Sequence, residues 1–132
     1  MSVQTSLHDD PLRVSVVCAT YNGSRFLKET IDGLSNQTER NLEIVIVDDC
    51  STDNTMDVLS SWSDSRVRLL RNNTNSNVVY SRNRAVDSSR GGYVAVTDQD
   101  DVSHPNRLKL QANLLGKVCT SHPRTDRGCD DR

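Results

Sequence analysis

Three short polar segments carry the residue types that could do chemistry. Tyr21-Asn22, Asp48-Asp49 and Asp98-Gln99-Asp100-Asp101 each follow an apolar run. The last is the densest. Two unit charges about 4 Å apart repel by about 4 kcal/mol at an effective dielectric of about 20, so Asp98, Asp100 and Asp101 in one turn need solvent, a raised pKa or a cation. Hard carboxylate oxygens suit Mg²⁺ or Mn²⁺, and magnesium takes one or two carboxylates while leaving positions for substrate phosphates. A solvated turn that caps a helix near Pro105 accounts for the same residues. Asp48-Asp49 is open to two readings in the same way. It is either a capping turn with Ser51 and Asp53 beyond it, or a carboxylate that accepts from a ligand's N–H or hydroxyl groups. Arg82 and Arg84 are either partners for a diphosphate or solvated surface charges.

The segments between these loops supply the elements that must position them. Val14 to Ala19 and Leu42 to Val47 are continuous, β-branched runs and predict strands buried on both faces. Val67 to Leu70 and Tyr93 to Thr97 predict two more strands. From Ser24, read as an N-cap, Leu27, Ile31 and Leu34 recur at helical spacing. A second helix, capped by Ser51 or Thr52, would turn Met56, Leu59 and Trp62 inward. Val79 to Ser89 predicts a third helix packed through Val79 and Val86, stopped by Gly91-Gly92. A fourth would start near Pro105, bury Leu108, Ala112 and Leu115, and end at Gly116. Four alternations of strand and helix predict an α/β layer with a mostly parallel sheet and right-handed crossovers. The polar loops then gather at one sheet edge, where open α/β sheets bind ligands.

Composition narrows the function. The chain has 132 residues, 16 Lys+Arg against 18 Asp+Glu, and 34% hydrophobic residues. That is one small domain. We divide it into an N-terminal extension at 1–12, a domain at 13–117 and a polar tail at 118–132. A slightly acidic balance lacks the basic face that nucleic acid requires. No apolar run approaches the roughly 20 residues of a membrane span. Met1 to Arg13 has no signal-peptide or transit-peptide pattern. Cys18, Cys50, Cys119 and Cys129 are scattered, which reads as reduced thiols. The predicted location is cytoplasmic, or peripheral at the inner membrane face. Cys119, His122 and Cys129 offer only a loose three of the four ligands that structural zinc wants. His8 and His104 read as surface residues.

Taken together and in order, Val14-Ser15-Val16-Val17-Cys18-Ala19-Thr20-Tyr21-Asn22-Gly23, Val47-Asp48-Asp49-Cys50-Ser51-Thr52-Asp53, Ser81-Arg82-Asn83, Gly91-Gly92-Tyr93 and Asp98-Gln99-Asp100-Asp101 resemble the family 2 glycosyltransferases of GT-A fold. The resemblance covers Arg13 to Leu115. It implies a Rossmann-like, truncated GT-A domain that holds a nucleotide-sugar donor, commonly UDP-linked, for metal-dependent, inverting transfer to a saccharide or lipid-linked acceptor. On that resemblance Ala19, Tyr21, Asn22, Asp48 and Asp49 surround the nucleoside and Arg82 lies near the donor. Asp100 contacts the ribose, Asp101 with Asp100 binds Mn²⁺ or Mg²⁺, and Asp98 supports them.

Cys50 and Asn77 stand where the family usually has glycine, and Ala19 lacks a hydroxyl that some members carry. The family continues into an acceptor-binding half that commonly supplies the catalytic base, and no base is assigned in these residues. The expectation for this chain alone is therefore nucleotide-sugar binding with at most slow hydrolysis. A binding-only remnant is the alternative. A phospho-acceptor receiver domain shares the early acidic pair, but Leu70-Arg71-Asn72 lacks the required third-strand aspartate. A sugar-phosphate nucleotidylyltransferase would need a glycine-rich N-terminal loop, which is absent.

Overall fold

The computed structural model describes residues 14–121, with side-chain surroundings described through Leu115. The expectations for the N-terminal extension and for His122 and Cys129 lie outside the described residues, as does the side chain of Cys119. Strands and helices alternate as β1 (Val14–Thr20), α1 (Ser24–Ser35), β2 (Leu42–Asp48), α2 (Thr55–Ser60), β3 (Val67–Arg71), α3 (Val78–Ser88), β4 (Tyr93–Asp98) and α4 (Arg107–Ser121). Every strand pair is parallel, in the order β3-β2-β1-β4. This is the expected α/β architecture. The order also separates the chain from receiver domains, whose third strand lies on the other side of β1 from β2.

The two faces of the sheet divide the core by strand period. Val14, Val16 and Cys18 of β1 align with Leu42, Ile44 and Ile46 of β2. They form one cluster with Leu27, Ile31 and Leu34 of α1, Leu59 of α2 and Leu108 and Ala112 of α4. Each such Leu, Ile or Val contributes about 1.5–3 kcal/mol through burial. The opposite face is thinner: Val17, Val45 and Val47 meet only Ala85 of α3, with Leu70 alongside. Polar groups complete that face. The Ser15 hydroxyl donates to Glu43 at 2.7 Å, and Arg68 and Arg90 pair with the same carboxylate at 3.1 and 3.3 Å. This buried carboxylate also accepts from the Arg90 backbone N–H, which ties the end of α3 to the sheet.

Several local expectations are corrected. Ser24 is the first residue of α1 rather than its cap; Gly23 holds that position, and the Ser24 hydroxyl donates to Asp53 instead. Asn54, not Ser51 or Thr52, precedes α2. That helix ends at Ser60, so Trp62 reaches the core from the following turn, its indole N–H on Ser35 Oγ at 2.9 Å. In α3 the packed residues are Ser81 and Ala85, whereas Val79 and Val86 are 62% and 38% exposed. A close approach to the sheet favours small side chains there. Leu115 is 45% exposed, and α4 continues through Gly116 to Ser121.

Both glycine replacements fall at positive φ. Cys50 has φ 64° and Asn77 φ 84°, with Asn22 at 49°. Asn22 suits positive φ and cysteine does not, while Asn77, with ψ 167°, takes a backbone conformation otherwise almost confined to glycine. The left-handed conformation costs a residue with a Cβ about 1–2 kcal/mol, while glycine loses about 0.5–1 kcal/mol more on ordering. Cys50→Gly is therefore expected to stabilise the fold by about 0.5–1 kcal/mol, read as a raised urea midpoint. An unchanged or lowered midpoint would mean that the 3.6 Å contact from Cys50 Sγ to the Asn73 carbonyl outweighs the strain.

Candidate nucleotide-binding cleft

Because β2 and β3 lie to one side of β1 and β4 to the other, the chain reverses direction across β1. The carboxyl ends of β1 and β4 lie side by side at this reversal. A cleft of about 410 Å³ opens there, lined by Ala19, Thr20, Tyr21, Asp49, Val78, Ser81, Asp98, Gln99 and Asp100. The sheet thus brings Ala19, Tyr21, Asp49, Asp98 and Asp100 together across 79 positions of sequence from Ala19 to Asp98, which stand opposite each other in the β1–β4 register.

Asp48 and Asn22 do not line this cleft. Asp48 is fully buried; it accepts from the Ser51 N–H at 3.0 Å and the Ser51 hydroxyl at 2.5 Å, and Arg71 stands at 3.4 Å. It holds the turn after β2 and has no face open to a ligand. Asn22 joins the first two loops. Its Oδ1 accepts from the Thr52 and Asp53 N–H groups at 2.8 and 3.3 Å, and its own N–H donates to Ser51 Oγ.

Asp49 shapes the floor. Asn72 Nδ2 and the Ser76 N–H donate to its Oδ1 at 2.8 and 2.7 Å, and the Asn77 N–H donates to Oδ2 at 2.9 Å. Burial pushes this carboxyl up, but donation from Asn72, Ser76, Asn77 and Ser81 outweighs it and holds the group below its ordinary value. Asn72 also donates to Ser81 Oγ, and Arg84 clamps the Arg71 carbonyl and Asn72 Oδ1. Arg84 therefore orders the β3–α3 loop from behind rather than facing the cleft.

The opposite wall is acidic. Asp98, Asp100 and Asp101 are exposed and can each offer an oxygen within 4.8 Å of the others; among the described residues this is the group that could hold a cation. Arg82 Nη2 donates to Asp98 Oδ1 at 3.0 Å, and Asp101 Oδ2 accepts from the Asp98 N–H at 3.1 Å. Three hard carboxylates with unused oxygens fit a divalent ion. Arg107, unmarked in the sequence, braces this turn through Thr97 Oγ1, Ser103 Oγ and the Val96 carbonyl. Gln99 stood in the acidic motif without a role: its Oε1 accepts from Thr20 Oγ1 at 2.7 Å and from the Tyr21 N–H at 3.0 Å. A contact between side chains so distant in sequence leaves no local signal. Cys18 and Cys50 are free thiols, and burial pushes Cys18 up to about 12, so it stays neutral.

An open parallel sheet with an acidic turn at its switch point defines a GT-A-like α/β domain. The chain belongs to glycosyl transferase family 2, whose model matches residues 15–130. It is 38% identical over 102 residues to the UDP-Glc:alpha-D-GlcNAc-diphosphoundecaprenol beta-1,3-glucosyltransferase WfaP of Escherichia coli, covering 77% of this chain and 41% of that protein. It superposes on Staphylococcus aureus TarS 1-349 in complex with UDP-GlcNAc with a TM-score of 0.76 at 29% identity, over 80% of this chain and 31% of the other. The mannosyltransferase PcManGT from Pyrobaculum calidifontis, in complex with GDP-Man and Mn²⁺, gives 0.68 at 29% identity, over 78% and 31%. The chain spans about two fifths of the length of the curated relatives it matches. No described helix is long and apolar enough to cross a membrane.

The Asp49 bonds predict a pH response. Its folded value lies below the ordinary 3.8, so its stabilising effect is complete above that value and is lost as pH falls through the lower, folded value. The amide shifts of Ser76 and Asn77 should therefore titrate with a midpoint below 3.8, and Asp49→Asn should abolish that titration. A midpoint above the ordinary value would contradict the donation geometry.

Proposed function

We propose that this chain is the donor-binding portion of a glycosyltransferase that moves a sugar from a nucleotide-diphosphate sugar, UDP-linked by preference, to a saccharide or lipid-linked acceptor. The observation that carries the reading is the convergence of Asp49, Asp98 and Asp100 on one switch-point cleft, with Arg82 paired to Asp98 and Asp101 completing the acidic turn at its edge. A UDP-GlcNAc complex and a GDP-Man complex among the similar structures support a nucleotide sugar as the class of ligand. The undecaprenol-linked substrate in the name of WfaP supports the acceptor class.

The roles are those the family resemblance implies, and the walls of the cleft are compatible with them. Tyr21 and Ala19 flank the nucleoside. Asp49 lines the cleft beside them, held by donation from Asn72, Ser76 and Asn77, and would accept from a base N–H. Asp100 accepts from the ribose. Asp101, with Asp100, would hold Mn²⁺ or Mg²⁺, which when bound supplies charge stabilisation for the leaving diphosphate. Asp98 keeps Arg82 directed at the same region, where the guanidinium adds positive charge. Inverting displacement also requires a base to take the acceptor hydroxyl's proton. That group is not assigned among the described residues.

Calorimetric titration tests the reading. UDP should bind with Mn²⁺ or Mg²⁺ and much more weakly after chelation; equal affinity in both conditions would sink the metal role. Asp101→Asn should keep the fold, because the group is exposed, and remove most of the metal-dependent gain. Asp49→Ala should weaken UDP binding with or without metal. Identical losses from both variants would return these residues to the role of turn-forming groups.

A further inference from the structure

Gln99 sits inside the acidic turn, yet its side chain crosses to the β1 loop. The Tyr21 backbone N–H can only donate, so the carboxamide atom facing it at 3.0 Å must be the oxygen. Thr20 Oγ1 donates to the same oxygen at 2.7 Å. The flip of the amide is thereby fixed by chemistry, not by choice of assignment. Both hydrogens of Nε2 are left on the other side. They donate to no group among the described residues, and the nitrogen is not enclosed. Gln99 lines the cleft.

The position is also held from outside. A Cβ on Gly23 would stand 2.4 Å from Gln99 Oε1 and 2.7 Å from Cδ. Gly23 has negative φ, so its lack of a side chain serves the close approach of this carboxamide and not an unusual backbone. The Gln99 carbonyl accepts from Thr30 Oγ1 at 2.8 Å, which fixes the backbone from α1. A donor held by three separate contacts, with its N–H groups unused in a ligand-sized cleft, is arranged to read an acceptor.

We propose that Gln99 is a specificity-determining residue whose Nε2 donates to an acceptor oxygen on the nucleoside half of the donor, either the O4 carbonyl of a uracil base or a ribose hydroxyl. The proposal rests on the nucleotide-sugar reading above. All other carboxyl and carbonyl groups on this wall accept; Gln99 adds the complementary sign. It allows a hydroxyl to donate to Asp100 while accepting from Gln99, or a base carbonyl to be matched beside Asp49.

The test uses the full chain with Mn²⁺ and four nucleotides: UDP, CDP, 2′-deoxy-UDP and 3′-deoxy-UDP. CDP replaces a base carbonyl with an amino group, and each deoxy analogue lacks one hydroxyl. Gln99→Glu keeps an oxygen for Tyr21 and Thr20 but replaces the donor with an acceptor. UDP affinity should fall about tenfold or more, while the analogue lacking the read oxygen should lose about threefold or less. Which analogue escapes identifies the base or the ribose as the source. An equal loss on all four overturns the proposal, since added negative charge beside a diphosphate weakens every nucleotide alike; no loss overturns it as well. Wild-type protein that binds none of the four overturns the nucleotide reading and this inference with it. Gly23→Ala provides a second variant, displacing the carboxamide without new charge, and should give the same selective pattern.

Discussion

The reversal of chain direction across β1 is the constraint on which the rest depends. A parallel sheet can place successive strands only through crossovers, and right-handed crossovers carry the chain steadily one way. Here β1, β2 and β3 do so, and α3 then returns across β1 to deliver β4 on its far edge. The helix after β1 lies on one face of the sheet and the helix before β4 on the other, and the cleft opens at the strand ends between α3 and the loops after β1 and β4. The depth of the cleft is set by α3, which approaches the sheet through Ser81 and Ala85. Larger side chains at those positions would lift Arg82 away from Asp98.

Polar groups at the strand ends do the positioning that apolar packing cannot. Asp48 and Asp49 are adjacent in sequence and opposite in use. The first is enclosed by Ser51 and Arg71 and closes its own turn; the second gathers the amides of Ser76 and Asn77 from a loop after the next strand. A single left-handed residue, Cys50, follows them and turns the chain back toward Asn22. Asn22 and Gly23 are then fastened by Ser51, Thr52 and Thr55. The loops after β1 and β2 behave as one unit because each supplies the other's missing backbone partners, as buried amides and carbonyls require.

Much of this was legible in sequence, and what escaped has a physical reason. Continuous β-branched runs marked β1 and β2, since strands covered on both faces must be apolar throughout. The Asp98 to Asp101 turn was legible because its charge density demands an explanation. Periodicity failed in α3, where exposed Val79 and Val86 imitate a buried stripe while the true contact is made by a serine and an alanine. It failed again at Gly116, because a glycine within a helix costs only about 1 kcal/mol and does not compel a stop. Asp48 and Asn22 carried the right chemistry for a ligand but use it within the chain. Arg107 carried no signal, and Gln99 stood in the acidic motif without a role, because their partners are set by tertiary structure.

The distribution of charge within the acidic turn argues for unequal duties among its three aspartates. Asp98 already shares an oxygen with Arg82 at 3.0 Å, and its backbone N–H is bound to Asp101. A cation drawn to the turn competes with a guanidinium at Asp98 but not at Asp100. The arginine also limits the repulsion that three exposed carboxylates would otherwise impose on the fold. Its Nε is buried without a partner, so the guanidinium is held by one ion pair and by the walls around it rather than by a full set of acceptors. An arginine with unused donors beside carboxylates with unused oxygens presents both signs within one cleft. A diphosphate accompanied by a divalent ion has the same two signs in complementary order.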